Sequence, residues 1–270
     1  MIVLRTVVIT GSARGFGFEM IKLFRKNNFN VVLCDVSEDN LNSAKMTLEN
    51  MKYDGKVLSF KTDITNEEDV KYLINNTLAE VDSIDIWINN AGVNQPNKPI
   101  WELETKDINR LIDIDLKGTI LCSKEIMKVM TKQGFGGIYN VEGHGSNDAT
   151  ILGLSIYGTS KRAVTYFTEA LAKESEVLNT GVVVGKITPG IMITNFISTS
   201  LGDGESIDLD DKTKKIYNIL GDRPETIAQF MVPKIISNTK NNVKFTWLTT
   251  LRASYRFMTS WRKKNNFFEN

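Results

Sequence analysis

The sequence has few of the residues that build disulfide scaffolds and metal centres. Its 270 residues include two cysteines and one histidine. Cys34 and Cys122 have no CxxC spacing, which excludes a disulfide framework and a cysteine-built zinc site. Their apolar surroundings indicate two reduced thiols in a core. Folding must therefore depend on a hydrophobic core, for which the length of the chain is ample.

Long apolar runs and an excess charge are also missing. No apolar run approaches the roughly 18 residues of a membrane span. The strand pattern at residues 7–9 leaves no room for a cleavable signal, so we expect a cytoplasmic protein. Thirty-three basic residues face 32 acidic ones, so no overall field attracts nucleic acid or a membrane. Residues 239–270 differ, because they carry seven basic residues and one acid.

Short β-branched runs alternate with stretches that are apolar at helical spacing. The runs span residues 5–10, 30–35, 56–62, 84–89, 137–141, 182–188 and 243–248. Strands separated by helices predict βαβ units, and runs apolar throughout predict helices on both faces of a parallel sheet. We expect an α/β fold: a single Rossmann-type domain over residues 1–270, with a doubly wound parallel sheet of about seven strands. Residues 196–213 are expected to form a mobile substrate loop, and residues 239–270 a basic, aromatic C-terminal extension.

A glycine-rich stretch follows the first predicted strand and opens a helix. It reads Thr10-Gly11-Ser12-Ala13-Arg14-Gly15-Phe16-Gly17. Glycines permit a tight turn and close backbone approach, so a pyrophosphate can lie on the free N–H groups of the helix N-terminus. Asp35 ends the second run, where a carboxylate accepts hydrogen bonds from the adenosine ribose. The sequence therefore predicts a dinucleotide site.

The form of the dinucleotide depends on the charge at two positions. The carboxylate of Asp35 would repel a 2′-phosphate, which favours NAD(H). Arg14 acts in the other direction, because a guanidinium in the loop could pair with that phosphate. We expect NAD(H) to be preferred, with NADP(H) as the alternative.

Five motifs in order make the sequence resemble the short-chain dehydrogenase/reductase family over nearly the whole chain. They are the TGxxxGxG loop at 10–17, Asp63-Ile64, Asn89-Asn90-Ala91-Gly92, Tyr157-Gly-Thr-Ser-Lys161 and Pro189-Gly190-Ile-Met-Ile-Thr194. The resemblance implies cofactor binding by Gly11, Ser12, Arg14, Gly15, Phe16, Gly17, Asp35, Asp63, Ile64, Asn90, Ala91, Gly92, Tyr157, Lys161, Pro189, Gly190 and Thr194.

Tyr157 and Lys161 form the candidate catalytic pair. They are four residues apart and hence lie on one helix face. A nearby ammonium favours the tyrosinate, so we expect the pKa of Tyr157 to fall from about 10 towards neutrality. Tyr157 can then exchange a proton with a substrate oxygen while a hydride moves at the nicotinamide.

Two catalytic positions depart from the family pattern. The family's serine is replaced by Gly143 or His144, and the nearest hydroxyl belongs to Ser146. We expect Ser146 to donate a hydrogen bond to the substrate oxygen, with His144 either sharing that role or serving as a plain loop residue. Asp115 stands where the family usually has asparagine, and its carboxylate would stabilise the Lys161 ammonium if the two are close.

A closer resemblance, to the chlorophyll b reductase branch, concerns the substrate. Its residues are Asp85-Ile-Trp-Ile-Asn-Asn-Ala-Gly92, Gly143-His-Gly-Ser146, Tyr157-Gly-Thr-Ser-Lys161-Arg162, Met231-Val-Pro-Lys234 and residues 247–256. That branch implies NADPH-dependent reduction of a formyl group on a tetrapyrrole. Asp35 departs from its phosphate-accepting pattern, so the branch implies only a bulky hydrophobic ring substrate. We expect the protein to interconvert a secondary alcohol and a carbonyl on a steroid- or bile-acid-like substrate, as a hydroxysteroid dehydrogenase does. The alternatives are reduction of a tetrapyrrole formyl group and a catalytically silent dinucleotide sensor.

The C-terminal extension and the long helices are the candidate surfaces for contact with a membrane or with other subunits. Leu251, Tyr255, Met258 and Trp261 fall at helical spacing. A helix packed on the sheet edge, a lid over the substrate and contact with a membrane surface all remain open. The family resemblance further implies that helices at 107–131 and 156–178 pair subunits in a homotetramer or homodimer.

Overall fold

The computed structural model of the chain describes residues 4–150, 152–193, 211–261 and 265–267. Its strands are β1 (Thr6–Thr10), β2 (Asn30–Asp35), β3 (Val57–Lys61), β4 (Ile86–Asn89), β5 (Gly136–Val141), β6 (Val182–Thr188) and β7 (Val243–Thr246). They form one parallel sheet in the order β3-β2-β1-β4-β5-β6-β7. Each strand begins and ends within two residues of a predicted run, and the predicted fold class is confirmed.

Helices connect the strands and cover the sheet. They are α1 (Gly15–Lys26), α2 (Glu38–Glu49), α3 (Glu67–Glu80), α4 (Thr105–Leu111), α5 (Thr119–Gln133), α6 (Ser155–Val177), α7 (Asp211–Leu220), α8 (Pro224–Ile236) and α9 (Thr250–Met258). A π-helical segment, Ile112–Gly118, joins α4 to α5. Within the described residues, no helix combines the length and the apolar character that a membrane crossing requires.

The substrate loop predicted at residues 196–213 is only partly described. Residues 196–210 lie outside the described residues. Asp211 already begins α7, so the last three residues of the predicted loop are helical. The loop prediction placed its end too late because residues 211–213, Asp-Lys-Thr, are polar like the residues before them.

The strands alternate their side chains between two hydrophobic cores. Along β1, Val7 and Ile9 join the core beneath α1 and α8, whereas Val8 joins the opposite core with α3, α5 and α6. All three side chains are fully buried. Cys34 and Cys122 are free thiols in the second core. Helices therefore cover both faces, as the apolar strands predicted.

The chain runs outward in both directions from the β1–β4 pair, which lies at the middle of the strand order. Ligands of such sheets bind in the crevice at the carboxyl ends of the strands, where the order reverses. The glycine loop after β1, Asp35 at the end of β2, Asn90 after β4 and Gly143 after β5 all lie at that edge. The topology thus brings the predicted cofactor and catalytic residues to one side of the sheet.

Candidate active site

The glycine loop after β1 is held against the segment that follows β4. Asn90 Nδ2 donates to the carbonyl oxygens of Thr10 and Gly11, each at 3.0 Å. The Thr10 hydroxyl accepts from the backbone N–H groups of Asn90 and Ala91, each at 3.0 Å. These four bonds fix the two halves of the predicted cofactor site relative to each other.

Glycine is required where the loop packs closely. Gly11 has a φ of 61°, and a Cβ there would lie 2.8 Å from Ala91 Cα. A Cβ at Gly17 would lie 2.6 Å from the Gly11 carbonyl oxygen. At Gly15, where φ is 59°, a Cβ would have open space around it. This open cradle at the N-terminus of α1 suits a pyrophosphate, so the residues present fit a dinucleotide.

Not every predicted cofactor residue presents its side chain to the cradle. Ser12 is fully buried, and its Oγ accepts from the Cys34 N–H at 3.2 Å. Phe16 packs in the core beneath α1. Only backbone groups of these two residues remain for a ligand. Arg14, the N-cap of α1, is exposed.

The acidic residues of the site lie at the strand ends, as predicted. Asp35 is half-buried at the end of β2, and its Oδ1 accepts from the Ser37 N–H at 3.2 Å. Asp63 Oδ1 accepts from the N–H and the hydroxyl of Thr65 at 2.9 and 2.7 Å. The adjacent Ile64 is buried against Gly118, where a Cβ would lie 2.7 Å from its Cδ1.

A buried ion pair joins Asp115 to Lys161. Asp115 lies in the π-helical segment and Lys161 on α6, with Oδ2 and Nζ 2.8 Å apart. Asp115 is fully buried, and its Oδ1 also accepts from the Val93 N–H at 2.7 Å. Burial alone would lower the pKa of Lys161, but Asp115 and Tyr157 outweigh it and raise that pKa. The two side chains are thus in the contact that the predicted role of Asp115 requires.

The pKa of Tyr157 is shifted in the opposite direction from the one expected from Lys161 alone. The Lys161 ammonium lies 5.5 Å from the centre of the Tyr157 ring. Removal of the hydroxyl from water raises the pKa of Tyr157 above its ordinary value of 10.0; Lys161 lowers it, and Asp115 and Tyr217 raise it further. The expected shift of the Tyr157 pKa towards neutrality is therefore wrong, because burial of the hydroxyl outweighs the Lys161 ammonium and Asp115 adds to the effect of burial. At neutral pH Tyr157 is protonated and can act as a proton donor.

The backbone of Gly143 occupies the place next to the Tyr157 hydroxyl. A Cβ at Gly143 would overlap Tyr157 Oη and lie 3.0 Å from Lys161 Cγ. A serine at this position would therefore displace the phenol. The Gly143 carbonyl accepts from the Ser146 N–H at 3.2 Å, which closes a tight turn. Ser146 is buried and lies in the same turn as Gly143.

His144 lies on the other side of that turn. It lines a groove of about 820 Å³ between α5 and α6, together with Ser155, Arg162 and Tyr166. Those three α6 residues lie on the helix face opposite to Tyr157, given 3.6 residues per turn. Burial lowers the pKa of His144. His144 thus shares its groove with α6 residues that face away from Tyr157, which favours the interpretation of His144 as a loop residue.

Two buried residues next to the catalytic ones are not among the residues predicted from the sequence. The Gln95 Oε1 accepts from the Tyr157 N–H at 2.8 Å, and its Nε2 donates to the Gly153 carbonyl at 2.5 Å. Glu142, just before Gly143, accepts from the Thr165 and Thr188 hydroxyls at 2.8 and 2.7 Å. The sequence offers no motif for Gln95. For Glu142 the only signal is an acidic residue at the end of an apolar strand.

The segment after β6 is tied to the residue that follows α7. Pro189 and Gly190 follow the end of the strand, and a Cβ at Gly190 would lie 2.7 Å from Leu248 Cβ. The Ile193 N–H donates to the Asp222 carbonyl, and the Asp222 N–H donates to the Ile191 carbonyl, each at 3.0 Å. Thr194 lies outside the described residues.

Several known proteins are similar to this chain in sequence. The sequence pattern of the short chain dehydrogenase family matches residues 5–203. The probable chlorophyll(ide) b reductase NYC1 of Arabidopsis thaliana is 32% identical, over 98% of this chain and 55% of that protein. The chlorophyll(ide) b reductase NOL of the same plant is 31% identical, over 85% of this chain and 64% of that protein. The chain thus spans between half and two thirds of the length of these two relatives.

Solved structures share the fold. A short chain dehydrogenase from Bacillus anthracis has a TM-score of 0.77 and 27% identity, over 90% of this chain and 94% of that one. Levodione reductase has a TM-score of 0.82 at 22% identity, over 94% of this chain and 100% of that one. At that identity the second likeness concerns the fold alone.

Proposed function

This chain belongs to the short-chain dehydrogenase/reductase family and is an NAD(P)-dependent oxidoreductase, and we propose that it reduces a carbonyl group on a bulky hydrophobic ring compound with NADH. The observation that carries the proposal is the placement of Tyr157 beside Lys161, whose ammonium is paired with the buried Asp115 carboxylate. The relatives named chlorophyll(ide) b reductase support a formyl group on a tetrapyrrole as the substrate. The steroid substrate expected from the sequence gains no support from them.

Each catalytic side chain has a proposed task. The nicotinamide, when bound, supplies the hydride. Tyr157 donates its proton to the substrate oxygen, and Ser146 donates a hydrogen bond to the same oxygen. Lys161 keeps a positive charge near that oxygen, and Asp115 holds the Lys161 side chain in place. The glycine loop binds the pyrophosphate and Asp35 the adenosine ribose.

A substrate panel tests the proposal. Purified protein with NADH is offered chlorophyllide b, steroid ketones and simple ring aldehydes, and cofactor oxidation and product are both measured. We expect turnover of the formyl tetrapyrrole at a rate above that of the simple aldehydes. Turnover confined to the steroids would contradict the substrate class. Tight cofactor binding without any turnover would favour the silent dinucleotide sensor.

NADH is expected to bind about tenfold more tightly than NADPH, a difference of about 1.4 kcal/mol. The reason is the Asp35 carboxylate, which would lie beside a 2′-phosphate. Fluorescence titration measures both affinities. Asp35→Ser should remove most of the difference, whereas Asp63→Asn, at the adenine side, should weaken both cofactors alike. Equal or reversed affinities in the unmodified protein would mean that Arg14 decides the preference.

Ser146→Ala is expected to lower kcat by about 10²–10³-fold, because it removes one oriented donor from the substrate oxygen. NADH affinity should hardly change, since the hydroxyl is assigned to the substrate. His144→Ala is the matched comparison in the same turn and should stay within about tenfold of the unmodified protein, given its place in the outer groove. A large loss of kcat in His144→Ala, with nearly normal kcat in Ser146→Ala, would mean that the two roles are reversed.

Gly143→Ala is expected to lower kcat by about 10²-fold, the scale of loss when a reacting group is misplaced by about 1 Å. The added methyl group would overlap the Tyr157 hydroxyl. Gly158→Ala is the control, because its Cβ would lie at an ordinary 3.8 Å from Gly145 Cα. Steady-state kinetics on both variants, with a melting curve for each, separates misplacement from unfolding. Full activity of Gly143→Ala would show that the phenol is not held by this contact.

We also propose that the chain forms a homodimer or homotetramer through α5 and α6. The groove between them is lined by apolar side chains, including Leu116, Ile120 and Phe167, and Tyr166 beside it is 76% exposed. Exposed apolar surface of this kind marks interaction sites. Light scattering at micromolar concentration should show at least twice the 30.4 kDa chain mass. A particle of one chain would contradict the proposal.

A further inference from the structure

The C-terminal helix α9 turns its apolar side chains towards solvent. Leu251, Tyr255 and Met258 lie on one helix face and are 85, 64 and 69% exposed. Trp261 follows the helix at the same spacing and is 71% exposed. We call these four residues the outer stripe. An amphipathic helix ordinarily buries such a face, so α9 is oriented the opposite way.

Arginines hold the other face of α9 against the protein. The Arg252 guanidinium lies 3.8 Å from the centre of the Trp247 ring and donates to the Trp247 carbonyl at 2.7 Å. Arg256 pairs with both carboxylate oxygens of Asp222, at 2.6 and 3.2 Å, and also donates to the Leu220 carbonyl at 2.9 Å. Rotating the helix to bury the outer stripe would break this two-pronged ion pair. The exposure of the stripe is therefore built into the fold.

Asp222 anchors α9 from several directions. Its Oδ2 accepts from the Trp247 Nε1 at 2.6 Å as well as from Arg256. Its backbone pairs with Ile191 and Ile193 in the segment after β6. A helix fixed at so many points can present the outer stripe as a rigid surface to a partner.

The charge around the outer stripe indicates what covers it. Residues 240–264 contain seven basic residues and no acidic one. Lys244 and Arg256 are paired with Glu142 and Asp222, but three basic residues, 262–264, follow Trp261 directly in the sequence. Such a segment is attracted to anionic lipid headgroups. Symmetric pairing with a second copy would bring two of these basic segments together, and like charges repel across an interface. Tyrosine and tryptophan are also the residues enriched at the boundary between headgroups and acyl chains.

We propose that the outer stripe of α9 inserts into the surface of an anionic lipid bilayer and docks the protein there. The helix would lie in the plane of the interface, with its apolar face towards the acyl chains and its arginine face against the protein. This docking depends only on α9 and its surroundings and not on the proposed reaction, so either proposal can fail without the other.

Vesicle co-sedimentation of the full chain tests the docking. Vesicles of phosphatidylcholine alone are compared with vesicles of phosphatidylcholine mixed with phosphatidylglycerol, at low and high salt. We expect at least tenfold tighter binding to the mixed vesicles, with most of the gain lost at high salt. No binding to the mixed vesicles would overturn the proposal.

Paired variants test the outer stripe itself. Leu251→Asp with Met258→Asp should lower vesicle affinity at least tenfold, and the uncharged pair Leu251→Ser with Met258→Gln should lower it as well. The control is Met46→Asp with Leu178→Asp, which makes the same charge change at residues 65 and 72% exposed elsewhere. Unchanged vesicle binding by both stripe variants would overturn the proposal. So would a stripe variant that halves the particle size in light scattering, because a second copy would then be the occupant.

Discussion

Tyr157→Phe is expected to lower kcat for carbonyl reduction by about 10²–10⁴-fold, the range that general acid catalysis contributes. The substitution keeps the ring that packs against the Gly143 backbone and removes only the hydroxyl that donates the proton. NADH affinity is expected to stay within about threefold, since the phenol is assigned to the substrate oxygen. Steady-state kinetics with the best substrate of the panel, together with cofactor titration, measures both quantities.

Tyr72→Phe is the matched control for the loss of a hydroxyl. Tyr72 lies on α3, is 59% exposed and is far in the chain from the catalytic helix. Its variant should turn over at the rate of the unmodified protein. If Tyr157→Phe kept more than a tenth of the activity, another group would be donating the proton.

The pH dependence of the same reaction follows from the raised pKa of Tyr157. Reduction needs the protonated phenol, so kcat should stay level around neutral pH and fall only in strongly alkaline solution. Asp115→Asn removes the carboxylate that raises this pKa, so the fall should move to lower pH. If Asp115 only positioned Lys161 and did not affect the pKa of Tyr157, Asp115→Asn would leave the pH profile unchanged.

Lys161→Met is expected to lower the free energy of unfolding by about 3–5 kcal/mol, because it leaves the buried Asp115 carboxylate without a counter-charge. The double variant with Asp115→Asn should recover most of that loss, since no charge then remains buried. Urea unfolding of the single and double variants measures the difference. Lys71→Met, which breaks exposed pairs with Glu67 and Glu68, serves as the control and should leave stability nearly unchanged.

The stability of Lys161→Met should also depend on pH in a defined direction. Burial raises the pKa of Asp115 above its ordinary 3.8 in the folded protein, and without the ammonium nothing opposes that rise except the Val93 N–H. The folded chain then keeps a proton that the unfolded chain has released. Stability should therefore fall as the pH rises above about 4. A pH-independent loss would mean that Asp115 is not ionised in the unmodified site.

Much of the fold could be predicted because the information for it is local. Each apolar strand run, the glycine loop and each of the five motifs occupies a few consecutive residues, and each strand begins and ends within two residues of its run. The helix at residues 107–131 was also predicted, but not its π-helical segment, because that change in winding leaves no mark on hydrophobic spacing.

The electrostatics of the site could not be predicted in the same way. The pKa of Tyr157 depends first on the burial of its hydroxyl and then on Lys161 and Asp115, which the fold brings together from different helical segments. Position 143 needs glycine because the Tyr157 phenol packs against its backbone, and the sequence alone does not show that contact. For α9 the sequence showed a helical stripe but not its direction, because the direction is set by the pairing of Arg256 with Asp222.

Transfer of deuterium tests the proposed reaction most directly. The protein is incubated with chlorophyllide b and NADH that carries deuterium at both C4 positions, and the product is examined by mass spectrometry. We predict one deuterium on the carbon of the former formyl group with the unmodified protein, and at least a hundredfold less labelled product with Tyr157→Phe. A product without deuterium, or equal labelling by the Tyr157 variant, would contradict carbonyl reduction by this site.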